Sequence, residues 1–125
     1  MIKQIGIVFG SVFILALFFT SCTSDNKDQL VPATCDTVNM SYSIDIVPIL
    51  QTHCYGCHGT GNTGGSGGIN LQDYNTLKGY ALDGQLYANI THTSNTPMPP
   101  PPAPKLGDCE INKILDWINQ GAPNN

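Results

Sequence analysis

The sequence predicts a small all-α domain of three to four short helices, and three observations carry that prediction. Apolar residues recur at the spacing of a helix face, most clearly Ile111, Ile114, Leu115 and Ile118. No stretch alternates apolar and polar residues as a half-buried strand does, and there is no internal repeat. The connections are long and irregular: six glycines fall between residues 59 and 68, and six prolines between 97 and 104. Helices joined in this way need a staple or a large apolar filler to close a core.

The chain opens on "MIKQIGIVFGSVFILALFFTSC". Lys3 precedes an uncharged, mostly apolar run of 16 residues, Ile5 to Thr20, which is short of the roughly 20 needed to span a membrane. The basic start, the short apolar centre and the small residues Thr20 and Ser21 read as a secretory signal over residues 1–21. Because Cys22 comes directly after them, the segment resembles a bacterial lipoprotein signal, in which that cysteine becomes the lipidated N-terminus. Phe19 stands where that pattern usually has Leu. An ordinary cleaved signal and an uncleaved anchor are the alternatives. Residues 22–34, polar and without periodicity, read as a flexible tether, and the domain is expected over 35–125.

Within that domain "SIDIVPILQTHC" predicts a first helix. Asp45 is its expected N-cap, Pro48 falls in the first turn, and Ile46, Ile49 and Leu50 share one face. "GTGNTGGSGG" must be a loop. It is not a phosphate cradle, since no lysine comes after it and no strand precedes it. "LQDYNTLKGY" and "DGQLYANITH" each suggest a short helix, capped by Asp73 and Asp83, with Leu77, Tyr80, Leu86, Tyr87 and Ile90 facing inward. "TPMPPPPAP" predicts an extended polyproline strap laid across the domain. "GDCEINKILDWINQGAP" predicts the last helix, with Asp108 as N-cap, Glu110 in its first turn, Gly121 past its end and Trp117 near the edge of its apolar stripe.

Charge excludes some functions. From Cys22 onward four lysines face nine carboxylates, a net of −5, and the chain has no arginine. With no basic patch to meet phosphate, nucleic acid is excluded as a partner. An acidic surface fits an exported protein and steers it toward basic partners. Export also favours cysteines that are oxidised, metallated or modified. There are five, and lipidation of Cys22 leaves Cys35, Cys54, Cys57 and Cys109 for the folded domain.

"CYGCH", Cys54 to His58, is open to four chemistries. A redox dithiol of thioredoxin type needs a strand–helix setting that is missing here. A structural zinc site needs four ligands, commonly two such pairs, yet Cys35 and Cys109 are isolated. A local disulfide leaves His58 without a role. Covalent haem uses all three residues: each thiol adds across one vinyl group, and the adjacent histidine is held beneath the iron. Haem c also supplies the missing filler. The other axial position has four candidates: Met40, Met98, His53 and His92. His53 adjoins Cys54 and cannot readily cross to the opposite face. Met98 lies among prolines that fix φ on both sides and so reduce the entropy lost on binding. His92, in a polar stretch six residues earlier, is its rival.

"CYGCHG", with "SIDIVPIL" before it and "MPPPPAPKLGDCEINKILDWINQGA" about 40 residues after it, resembles the single-haem cytochrome c domains of bacterial exported proteins over residues 42 to 123. The resemblance implies a small cytochrome c-like fold in which the last helix packs across the first. It also implies thioethers at Cys54 and Cys57, His58 as proximal ligand and Met98 as distal ligand. The run of four prolines after Met98 is longer than usual in that family, and the cysteines at 35 and 109 are an addition. With the two helices close, a Cys35–Cys109 disulfide would close a 75-residue loop, worth on the order of 4 kcal/mol by loop entropy. Two unpaired thiols are the alternative.

The implied function is electron transfer, not catalysis, by a domain with both axial sites filled. Redox proteins would dock transiently at an exposed haem edge, and lipid at Cys22 would hold the domain at a membrane outside the cytoplasm. A haem with an open or displaceable distal site, peroxidase-like or gas-binding, is the rival reading, although no arginine is present to polarise a peroxide. A lipoprotein whose cysteines form only disulfides is the third.

Overall fold

A computed structural model describes residues 34–125, which form one compact unit. The signal segment 1–21, Cys22 and the tether up to residue 33 lie outside the described residues. Five α-helices make up the unit: α1 (Val47–His53), α2 (Tyr55–His58), α3 (Tyr74–Leu82), α4 (Gln85–Ile90) and α5 (Asp108–Asn119). A π-helical turn, Tyr42–Ile46, leads into α1, and a 3₁₀ turn, Gly64–Ser66, interrupts the glycine loop. No strand occurs among the described residues, so the all-α prediction holds.

The first helical stretch begins earlier than the sequence suggested, and Asp45 is not its N-cap. Ser41 holds that position. Its hydroxyl accepts from Ile44 N–H at 3.5 Å, while Asp45 Oδ2 reaches back to accept from Ser41 N–H at 2.9 Å. This is a capping box stretched by one residue. The stretch fits the wide turn, because the amides of Asp45 and Ile46 both donate to the Ser41 carbonyl. Pro48 sits in the first turn of α1, where no N–H is needed. Ile46, Ile49 and Leu50 are all buried.

Asp73 caps α3 as expected, accepting from Thr76 N–H at 2.8 Å and from its hydroxyl at 2.7 Å. These bonds hold its carboxyl below the usual range. Asp83 serves α4 from one residue further out. Gly84, at φ +83°, is the N-cap, and Asp83 Oδ1 accepts from Gln85 N–H. Leu86 and Ile90 face the core, but Tyr87 does not. It lies one residue past Leu86, hence about 100° around the helix, and it stays 36% exposed. For α5 the N-cap is Gly107, not Asp108. Glu110 Oε2 accepts from Gly107 N–H at 3.0 Å, and Asp108 turns outward to Lys105 at 3.2 Å. The strap is not extended throughout, since Ala103 N–H donates to the Pro100 carbonyl and closes a turn within it.

Trp117 departs furthest from expectation. It lies at the centre of the core, 0% exposed, rather than at the edge of a stripe. The chain beyond α5 accounts for this. Gly121 (φ +87°) and Ala122 (φ +49°) turn it back, Ala122 N–H donates to the Trp117 carbonyl, and Trp117 Nε1–H donates to the Pro123 carbonyl at 2.9 Å. Tyr42 stacks on the indole at 5.7 Å and meets Tyr74 edge-on at 5.1 Å. Tyr74 Oη donates to the Ala122 carbonyl, and Asn125 accepts from the amides of Tyr42 and Ser43. The tail thus lids the indole and ties α5 to the π turn. A disulfide between Cys35 and Cys109 fastens the entering segment to the first turn of α5.

Trp117→Ala is expected to lower unfolding free energy by about 3–5 kcal/mol, read as a fall in the denaturant midpoint. Tyr74→Phe, which loses only the bond to Ala122, should cost about 1 kcal/mol.

Candidate haem site

A cavity of about 540 Å³ lies between the N-terminal helices, the glycine loop, α4 and the strap. Its chemistry comes from α1 and α2. The chain breaks at Cys54 (φ −120°) and restarts as a single turn, with the Cys54 carbonyl accepting from the amides of both Cys57 and His58. That turn places Cys54, Cys57 and His58 along one wall of the cavity. Gly59 lets the chain leave it, since a Cβ there would meet the Tyr55 carbonyl oxygen at 2.5 Å.

His58 is 9% exposed, and its Nδ1 lies 3.1 Å from the Ile69 carbonyl. A carbonyl can only accept, so Nδ1 carries the proton, and in the neutral ring the lone pair is then on Nε2, the tautomer an imidazole ligand needs. The glycine loop supplies that carbonyl. Leu71 N–H donates to the His58 carbonyl at 2.8 Å, and Gln72 Oε1 accepts from Thr60 N–H at 2.8 Å, pinning both ends of the loop together. Ile69 and Leu71 then add apolar wall.

Cys54 and Cys57 stand outside the disulfide, one half-buried and one exposed. Burial pushes the Cys54 thiol up to about 11, with the Glu110 carboxylate adding to the effect. Without haem, Cys54 is therefore a neutral thiol at physiological pH, the opposite of the depressed value that marks a reactive dithiol. Among the described residues no cluster of three or more His, Cys, Asp or Glu side chains could hold a metal ion, which leaves the zinc reading without ligands.

Of the four candidates for the second axial position, Met98 and His53 line the cavity. His53 Nε2 is 2.9 Å from Glu110 Oε1, and the residue sits on the same wall as Cys54. Met98 comes from the strap, on a different element. Its N–H donates to the Asn89 carbonyl at 2.9 Å, which closes the 91–98 loop onto the end of α4. Met40 is buried in the core, with its amide bound to Asp116, away from the cavity. His92 is not among the lining residues. Its backbone is left-handed (φ +59°), and its Nε2 is buried without a hydrogen-bond partner.

Several contributors were not legible in the sequence. The Ile69 carbonyl is backbone and carries no residue signature. Asn89 and Tyr80 read as ordinary helix positions, and the His53–Glu110 pair joins residues 57 apart. Only the lack of another use for a polar Asn89 on an inward-facing turn could have marked it.

The residues present fit an iron porphyrin. Two thiols, an imidazole with a free Nε2 and a thioether converge on one cavity whose remaining wall is largely aliphatic, with Leu86, Ile90 and Leu106 among it. A family model described as cytochrome C oxidase, cbb3-type, subunit III matches residues 46–118. No curated protein and no solved structure matches the chain significantly.

Gly59→Ala is expected to force the turn after His58 apart, at a cost of about 1–3 kcal/mol. The measurements are the denaturation midpoint and the yield of covalently haem-stained protein, and both should fall.

Proposed function

The chain belongs to the cytochrome c family whose model is described as cytochrome C oxidase, cbb3-type, subunit III, and from that premise we propose that it is a membrane-anchored electron carrier with histidine–methionine ligation. Membership makes it a single-haem cytochrome c domain with haem c held covalently, and it makes haem-based electron transfer its general role. The residue assignments are ours: Cys54 and Cys57 form the thioethers, His58 is the proximal ligand and Met98 the distal one. The observation that carries this reading is the meeting of all four side chains on one cavity, three from α1–α2 and the fourth from the strap.

Haem c supplies an iron that cycles between Fe(III) and Fe(II), with a potential raised by thioether ligation. The protein's own groups do the positioning. Ile69 holds the His58 proton on Nδ1, and Asn89 holds the backbone of Met98. The prolines after Met98 limit its motion. With His58 and Met98 both holding the iron, no position would be left for a substrate, and the domain would carry electrons without catalysing a reaction of its own. The rival with an open distal site would need a distal acid–base group. The only imidazole on the wall besides His58 is His53, already paired with Glu110.

Anchoring rests on the sequence: Cys22 at the end of a lipoprotein-type signal, with a polar tether after it. Among the described residues no helix is long and apolar enough to cross a membrane. Cys22→Ala should move the protein from the membrane fraction to the soluble exported fraction, and a variant that stays in the membrane fraction would refute the lipid anchor.

Met98→Ala should abolish the absorption band near the red edge of the ferric spectrum that marks a methionine–iron bond. It should also lower the reduction potential by on the order of a tenth of the ~0.8 V range that axial ligation covers. A band that survives the substitution would show that another residue is the distal ligand.

A further inference from the structure

His92 occupies a position that is unfavourable in two ways. It follows α4 as the left-handed residue of a Schellman cap: its N–H donates to the Asn89 carbonyl, and Thr93 N–H donates to the Ala88 carbonyl. Glycine or asparagine is the usual occupant there, because a larger side chain at φ +59° is strained. The second disadvantage is polar. Among the described residues, His92 Nε2 is the one buried side-chain nitrogen or oxygen with no hydrogen-bond partner. The chain's other two histidines, His53 and His58, are both hydrogen-bonded. The cap does not need this imidazole, since asparagine makes the same turn. What the position does give is proximity to Met98. The Asn89 carbonyl also accepts from Met98 N–H, so the backbone nitrogens of the two residues are at most about 6 Å apart.

We infer that His92 is a latent iron ligand, which takes the distal position when Met98 loses its thioether to a peroxide. The inference rests on the reading above, in which Met98 holds the iron. Met98 is half-buried on the cavity wall, within reach of a small oxidant. A sulfur lone pair attacks one peroxide oxygen and the O–O bond breaks. The second oxygen takes the proton of the first and leaves as water. Sulfur is oxidised by two electrons, the peroxide is reduced by two, and the product is a polar sulfoxide that no longer suits an apolar seat. Beyond Ser94 the loop is then held to α4 by Met98 N–H and by Thr96 Oγ1, 3.3 Å from Asn89 Oδ1. His92 is not on the cavity wall while the cap is formed. A helix end frays readily, and leaving the left-handed region both relieves His92 and re-aims its ring. The imidazole lone pair gains a partner in iron, whose oxidation state is unchanged by the exchange. Two imidazoles hold a lower potential than histidine with methionine. An oxidised copy would then be a poorer electron acceptor, with no vacant position for a second peroxide.

The test uses the haem-loaded full chain in the ferric state and asks what holds the distal position. His92→Asn suits the left-handed cap and removes the imidazole, so it should leave the methionine–iron band in place. Met98→Ala should lose that band yet stay six-coordinate and low-spin, whereas Met98→Ala combined with His92→Asn should turn high-spin. Added imidazole competes with His92 for one site, so it should bind Met98→Ala about tenfold more weakly than the double variant. Hydrogen peroxide is added until mass spectrometry finds one extra oxygen on the Met98 peptide. The natural sequence should then give the low-spin spectrum without the band, and His92→Asn the high-spin one. A high-spin Met98→Ala protein, or equal imidazole affinities, would overturn the latent ligand while leaving Met98 as the distal one. Loss of the band in His92→Asn alone would mean that His92 already holds the iron, which overturns the Met98 assignment and this inference together.

Discussion

The hydrogen bond from His58 Nδ1 to the Ile69 carbonyl is the contact on which the rest of the site depends. It selects the tautomer that leaves Nε2 free, and it fixes the ring against rotation. Making it requires the chain to leave α2 sharply and return eleven residues later with a backbone oxygen correctly aimed. Gly59 permits the departure, because any side chain would strike the Tyr55 carbonyl. Gly67 and Gly68, at φ +65° and +81°, permit the aim. The glycine loop is thus a backbone device for delivering one carbonyl, and that task explains its lack of regular structure.

Met98 is under a different constraint. A thioether has no proton to lose and no charge, so nothing electrostatic draws it to a position. It has to be placed by its backbone. The Asn89 carbonyl accepts from Met98 N–H and from His92 N–H, gathering the loop after α4 onto that helix. The left-handed turn at His92 makes the reversal. His92 therefore serves here by backbone conformation, although its side chain made it a candidate ligand.

The sequence showed the chemistry of the site better than its supports. Cys54, Cys57 and His58 are contiguous, and the spacing itself carries their meaning. Met98 stands out because prolines surround it. The supports are different in kind. Ile69 acts through its carbonyl and Asn125 through its own amide and carbonyl, neither visible in a residue pattern. The caps were misplaced by small steps for one reason: Asp45, Asp83 and Asp108 are all good capping residues, but the register at a helix start is set by which backbone amides remain free. At Ser41 the wide π turn shifts that register, and at Gly107 the Glu110 carboxylate does the capping from inside the helix. Trp117 was misjudged because its position on the helix wheel says nothing about the tail that folds over it. Periodicity within α5 locates a face, and only the long-range bonds to Ala122 and Pro123 show that the face is covered.

These two kinds of structure occupy different parts of the chain. The stacked Tyr42 and Trp117, the tail bonds and the disulfide all join the N-terminal entry to α5 and the C-terminal tail. The glycine loop and the strap, which border the cavity, contain no regular element longer than a single turn. A wall made of loops would ordinarily open and close on its own, since few backbone bonds hold it. Here each loop is bonded back to a helix, at His58 for one and at Asn89 for the other. Those helices are fixed in turn by the tail bonds and the disulfide and by the packing of α4 against α5. The loops can then be chosen for what they present, a carbonyl and a thioether, because they are not required to hold the fold together. For an electron carrier this matters directly. His58 and Met98, the proposed ligands, are each held by a hydrogen bond to a backbone carbonyl, of Ile69 and of Asn89, and ligands held in this way would leave an iron little to reorganise between oxidation states.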